Sequence, residues 1–280
     1  MAVVLKVAPS VASCTGGVRA IFGADHRAGG RETLGPLPGT DRIAANVLQL
    51  HHDLPNQWDA WDVDAFYKEQ VETIATLDSI EVVEQHALRA KVRITRSFRK
   101  SKIEQTIVLR AGSARIDFET KVDWQERHRF LKAAFPVNVR SEHATYDIQF
   151  GHVQRPTHDN TSWDLARFEV CAHKWADLSE GGPAESGGYG VALLNDCKYG
   201  HDIRDNVMRL SLLRGPIEPD PEADRGEHTF TYSLYPHPGD FREGRVIEEA
   251  YNLNVPLVVK EFRPSADGRQ ECLPHEGHQS

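Results

Sequence analysis

Cysteine, excess positive charge and long apolar runs are all scarce in this 280-residue chain, and each shortage removes a class of function. The four cysteines, Cys14, Cys171, Cys197 and Cys272, show no C-x-x-C spacing, so they read as free thiols in a reducing compartment. Lys and Arg number 33 against 41 Asp and Glu, a formal charge of −8 that gives no footprint for phosphate backbones and excludes nucleic acid as an expected partner. No run approaches the ~18 apolar residues a bilayer-spanning helix requires, so no membrane partner is expected. Lys6 and Pro9 interrupt Ala2–Ala12 as a signal segment. The expected location is cytoplasmic; the small residues Ala12-Ser13-Cys14, near a cleavage point, keep secretion as the alternative. Helix signals are few as well. Ala65–Leu77 admits a turn or two, weakened by the β-branched Val71, Thr73, Ile74 and Thr76.

What the chain does have is period-two patterning. Hydrophobic residues at 40% and charged residues at 26% suit a globular protein with a sizeable core. From Leu88 to Phe98, apolar side chains alternate with Arg89, Lys91, Arg93, Thr95 and Ser97, as in a half-buried strand. A polar turn at Lys100–Lys102 leads to Ile103–Arg110. Ala111-Gly112-Ser113 then leads to Arg115–Trp124, where Ile116, Phe118, Thr120, Val122 and Trp124 share one face. Such an antiparallel meander has one face to bury, which calls for a second sheet and hence a sandwich. Further strands are expected at Val18–Phe22, Ala144–Phe150, Arg167–Ala172, Gly190–Asn195, Val207–Leu213, His228–Tyr235 and Leu257–Phe262. The Gly-rich stretch Glu180–Gly188 reads as a flexible insertion. The expected organisation is a poorly defined lead-in over 1–40, one β-sandwich domain over 41–263 and a frayed tail over 264–280.

Several polar motifs follow one another in a fixed order. Arg155–Asp164 runs into the strand-like Ala166–Val170, and Leu193–Asp202 follows it. Trp58-Asp59-Ala60-Trp61-Asp62-Val63-Asp64, Asp123–His128, Ala134-Phe135-Pro136 and Asp220–His228 complete the set. Together they resemble the C-terminal sandwich region of retaining α-mannosidases of glycoside hydrolase family 38, over residues 40 to 260. The resemblance implies an all-β fold, an antiparallel super-sandwich of galactose-mutarotase-like type. It also implies hydrolysis of α-mannosidic bonds and carbohydrate binding. In the resembling enzymes, the zinc ion and the reacting carboxylates belong to an N-terminal α/β domain. This chain is therefore expected to hold no catalytic residue, metal or other cofactor of its own, and to be inactive alone. Its expected partners are that catalytic domain or subunit and a mannose-containing carbohydrate.

A retaining glycosidase needs two carboxylic groups ~5–5.5 Å apart. The clusters Asp59, Asp62, Asp64 and Asp220, Glu222, Asp224, Glu227 supply carboxylates, yet they also read as solvated turn charges. His51-His52-Asp53 is the one tight His/Asp run, and neighbours on a strand point to opposite faces, which suits metal capture poorly. The candidate sugar contacts are His158, Asn160, Trp163 and Asp164, which offer amide, carboxylate and indole groups. The competing explanation is a capped loop with Trp163 anchored in the core. Asn195, Asp196, Lys198, Tyr199 and Asp202 stand at a strand-to-loop junction, where an Asp196–Lys198 pair capping the turn is the alternative. Arg214 and Asp224 resemble the family's arginine and acidic loop near the active centre. Three other roles stay open. They are a free-standing carbohydrate-binding module using Trp163, Trp58 and Trp61, an aldose epimerase using His152, His173 and Glu169, and a structural partner of a catalytic subunit.

Overall fold

The computed structural model describes residues 45–258. The lead-in over 1–40 with its expected Val18–Phe22 strand, and the tail over 264–280, lie outside the described residues. So does most of the strand expected at Leu257–Phe262; Leu257 and Val258 themselves are in no strand.

The first half of the chain forms β1 (Val47–His52), β2 (Val71–Thr73), β3 (Ser79–His86), β4 (Arg89–Phe98), β5 (Ser101–Arg110), β6 (Ile116–Trp124) and β7 (Arg129–Pro136). Next come β8 (His143–Ile148), β9 (Gly151–Pro156), a four-residue helix α1 (Ser162–Leu165), β10 (Val170–Cys171) and β11 (Trp175–Glu180). The chain continues with β12 (Tyr189–Asn195), β13 (Gly200–Arg204), β14 (Val207–Arg214), β15 (Gly226–Pro238) and α2 (Val246–Asn254). A six-stranded sheet has the order β10-β13-β14-β7-β1-β2, and a nine-stranded sheet the order β3-β4-β5-β6-β15-β12-β11-β8-β9. Every pairing is antiparallel. The all-β antiparallel sandwich expected from the alternation is the architecture found.

The core lies between the sheets. Ile103, Phe118, Val122 and Trp124 of the larger sheet meet Leu48, Leu131, Ala133 and Phe135 of the smaller one, all buried. Phe118 packs on Phe135 with ring centroids 5.6 Å apart, and the Trp124 indole donates to the Arg214 carbonyl at 3.1 Å, so both apolar and polar contacts join the layers. One polar network is buried within this core: Asn46 donates to Gln105 (3.0 Å), Gln105 to Tyr232 (2.7 Å), and the Tyr232 hydroxyl back to Asn46 (2.6 Å). The closed ring leaves no member of it without a partner, which is the condition for burying such groups. On the outer face of the larger sheet, α2 covers Trp175, Ala192 and Leu194 with Val246 and Ala250.

Several boundaries depart from expectation. The β4–β5 turn is Arg99-Lys100, with Ser101 already paired to Phe98; Glu126 accepts from the Lys100 amide and the Ser101 hydroxyl and so fixes the turn one residue earlier. Arg167–Ala172 shrinks to β10, because Arg204 donates to the carbonyls of Asp164 and Arg167 and holds 162–168 as a helical turn and bends. Ala65–Leu77 divides into a 3-10 turn, Ala65–Glu69, and β2, whose β-branched residues join the β1 ladder. Strands β1, β3, β7, β9, β11 and β13 and helix α2 were not expected. For β7 the reason is plain: all but its first residue are buried, so the polar half of the alternation is missing.

Candidate functional site

The outer face of the smaller sheet carries charge where a sheet face normally presents apolar or solvated groups. Register aligns Gly200, Ser211, Lys132 and Gln49 across β13, β14, β7 and β1, and aligns Asp202 with Arg209 in the row beside it. Two straps, the Ala65–Glu69 turn and the segment before β10, fold over these rows. Lys132, wholly buried, donates to the Tyr67 hydroxyl (2.9 Å) and forms a short ion pair with Glu169, while Tyr67 donates to the same carboxylate at 2.7 Å. Asp202 faces Lys68 (3.4 Å), Arg209 (3.5 Å) and Lys132 (3.9 Å). Burial works against its charge, but those three cations and Arg204 together leave its pKa below the ordinary value. Burial raises the Tyr67 pKa, and the Glu169 and Asp202 charges raise it further, so the phenol stays protonated and acts as a donor. His51, between this cluster and the Tyr67 carbonyl (3.2 Å), is pushed down to about 4 by burial and by Lys132, and is neutral at pH 7.

Through Glu169 this cluster reaches one side of a cleft of about 420 Å³. Glu169, Ser211, Gly200 and Cys171 lie on that side, and Val63, Phe130, Leu212 and Leu213 give an apolar floor. Lys198, Arg214, Asp224 and His228 complete the lining. Arg214 ends β14 and grips the loop that carries the first tryptophan motif. Its Nε bonds Asp53 at 2.7 Å, and its Nη2 donates to the carbonyls of Asp59 (3.2 Å) and Asp62 (2.7 Å). Asp59 in turn accepts from the amides of Ile217 (2.6 Å) and Glu218 (3.2 Å). The Trp58–Asp64 motif is thus a braced loop rather than a pair of reacting carboxylates. Burial lowers the pKa of Lys198, whose ammonium sits 4.1 Å from the centroid of the Phe230 ring.

Of the residues singled out from the sequence, Lys198, Arg214 and Asp224, with Glu169 of the epimerase candidates, converge on this cleft. The others sit elsewhere. Thr161 and Asp164 form a capping box on α1, His158 lies 3.7 Å from the Asp164 carboxylate, the Asn160 amide leans on His158, and Trp163 is 74% exposed instead of anchored in the core. Asn195 is buried and turns the chain by accepting from the Lys198 amide (2.6 Å). Asp196 accepts from the Thr231 amide, and the exposed Tyr199 stands edge-on to His173. The epimerase candidates are dispersed. His152 packs on Phe241 and His173 on Tyr199, while Glu169 pairs with Lys132 on the other sheet.

Among the described residues, no three His, Cys, Asp or Glu side chains gather around a common point as metal ligands. In the His51-His52-Asp53 run, His51 turns to Tyr67 and Asp53 is taken by Arg214, so these residues do not fit a zinc site. Sequence reading named Asp202 only as a junction residue and missed Lys132 and Tyr67, and with them the cluster. The available signal was a lysine inside the apolar run Phe130-Leu131-Lys132-Ala133-Ala134-Phe135.

Comparison with known proteins agrees with this architecture. The family profile described as "Glycosyl hydrolases family 38 C-terminal domain" matches residues 38–222. Alpha-mannosidase 2C1 of Homo sapiens is 46% identical over 234 residues, which are 83% of this chain and 21% of that protein. The alpha-mannosidase of Saccharomyces cerevisiae is 41% identical over 221 residues, 75% of this chain and 20% of its own length. This chain therefore spans about a fifth of the relatives it matches. The crystal structure of an alpha-mannosidase from Enterococcus faecalis V583 superposes with a TM-score of 0.63 at 17% identity, covering 76% of this chain and 28% of that one, and so shares the fold.

Proposed function

This chain belongs to the glycosyl hydrolases family 38 C-terminal domain family, and from that premise we propose that it serves as the C-terminal sandwich of a retaining α-mannosidase. In this reading it presents the Arg214 cleft to a mannose-containing substrate. The observation that carries the reading is the convergence of Lys198, Arg214 and Asp224 with Glu169, Ser211 and His228 around an apolar floor. Alternating donors and acceptors beside apolar surface match the hydroxyls and C–H faces of a pyranose. No pair of carboxylates in the cleft is freed for nucleophile and acid, because Glu169 is committed to Lys132 and Tyr67. The reacting groups, and the zinc that such enzymes use, are assigned to a catalytic portion outside the described residues.

The docking face for that portion is the exposed apolar set Leu54, Trp58, Trp61 and Phe66, next to the loop that Arg214 braces. Exposed free thiols at Cys171 and Cys197 support action in the reducing cytoplasm.

The test is co-expression of the chain with the catalytic region of a family 38 enzyme, followed by assay of aryl α-mannopyranoside hydrolysis. Activity should require both polypeptides and should fall with Arg214→Ala. Hydrolysis by this chain alone, or equal hydrolysis without it, would overturn the proposal.

A further inference from the structure

We infer that Glu169 is a specificity-determining residue of the cleft, accepting a hydrogen bond from one sugar hydroxyl, and that Lys132 and Tyr67 are the positioning residues that aim it; this rests on the sugar-binding reading of the cleft. An ionised carboxylate offers about four lone-pair directions, and here they are divided between two environments. Oε1 is turned inward, where it takes both the Lys132 ammonium and the Tyr67 hydroxyl. Among the described residues Oε2 has one hydrogen-bond partner, the Ser211 hydroxyl at 3.2 Å, and Glu169 lines the cleft.

Three features keep that oxygen available and fixed. First, Lys132 is fully buried and Tyr67 is 3% exposed, so the inner bonds are shielded from water and hold the carboxylate in one orientation. Second, both inner partners are donors, so Oε1 is held by an N–H and an O–H group and Oε2 is left facing the cleft. Third, residue 200 is glycine. A Cβ there would come within 2.8 Å of the Ser211 hydroxyl oxygen and 3.5 Å of Glu169 Oε2, so the absent side chain leaves the cleft side of this oxygen open.

A carboxylate needed only to neutralise Lys132 would have no use for that opening, since Asp202 already stands 3.9 Å from the same ammonium. Nor does the geometry suit an anionic ligand, which would meet Glu169 and Asp224 across the lining. A neutral polyol hydroxyl fits: it donates to Oε2 and accepts from Lys198 or Arg214, and its ring rests on the apolar floor.

The experiment titrates the 280-residue chain with methyl α-D-mannopyranoside and each of its monodeoxy forms, following amide shifts by NMR. Millimolar binding of the parent sugar is expected. One monodeoxy sugar should bind about tenfold more weakly or worse, as expected when a hydrogen bond to a charged group is lost. Glu169→Gln should weaken the parent sugar and largely abolish discrimination against that one deoxy form, while leaving the ranking of the others unchanged. Tyr67→Phe removes only the hydroxyl and keeps both charges, so it should reduce the same discrimination in a folded protein even where Glu169→Gln fails to fold. If the wild type binds the sugar but neither variant alters which hydroxyl is read, the role of Glu169 is overturned and the cleft remains a sugar site. Absence of any binding by the wild type at ~100 mM sugar, far above a millimolar Kd, would overturn both.

Discussion

Acidification should unfold this domain by way of two buried histidines. His51 on the outer face of the smaller sheet and His201 in the inter-sheet core are 5% and 0% exposed, and each has its Nε2 buried without a hydrogen-bond partner among the described residues. Burial pushes both from the ordinary 6.5 to about 4, with Lys132 adding to the depression at His51. The unfolded chain therefore binds more protons than the folded one between about pH 6.5 and 4. The stability the neutral rings allow is complete above pH 6.5, is lost as pH falls, and levels off below about 4. From pH 7.5 to 5 the loss is about 2 kcal/mol per histidine, or about 4 kcal/mol together. That is a large share of the 5–15 kcal/mol typical of a domain. Equilibrium urea unfolding followed by tryptophan fluorescence at the two pH values measures it directly. His51→Gln should remove roughly half of the pH dependence, since it removes one of two comparable groups. A urea midpoint that stays constant from pH 7.5 to 5, or an undiminished dependence in His51→Gln, would refute the reasoning.

Two further outcomes follow from the cleft. Arg214→Lys keeps the charge but loses the planar fork that reaches Asp53, Asp59 and Asp62 at once, so stability should fall by about 2–3 kcal/mol. Limited proteolysis should then cut within Trp58–Asp62; an unaltered digestion pattern would show that the brace is dispensable. Gly200→Ala places a methyl within 2.8 Å of Ser211, which should cost about 1–3 kcal/mol of overpacking by denaturant titration. No loss would mean that β13 and β14 can separate there.

The fold was legible wherever one face of a strand meets solvent. Alternation placed β4, β5 and β6 within two residues, because Arg93 and Glu104 on the outside contrast with Ile94 and Ile103 inside. It failed for β7, where Leu131, Ala133 and Phe135 face the core while Lys132 and Ala134 are buried on the other side. It also failed for Arg167–Ala172, where the Arg167 carbonyl, like that of Asp164 before it, accepts from Arg204, a residue distant in sequence that no local pattern announces. The site was legible in part. Lys198 is marked by its place at a strand-to-loop junction, whereas Arg214 and Asp224 are marked only by resemblance to a family's arginine and acidic loop. Asn195 and Asp164 are of equally suggestive types, yet their polar groups are spent on turning and capping the chain.

Periodicity and composition by themselves determined an antiparallel sandwich of net negative charge, since period two and net charge are properties of the chain alone. Which polar residues meet was decided only by the tertiary structure. Lys132, Tyr67, Glu169 and Asp202 are separated by up to 135 positions and are joined by strand register and two covering straps. A buried charge is tolerable only when such distant partners arrive together, and that condition is set by packing, which the local sequence does not encode.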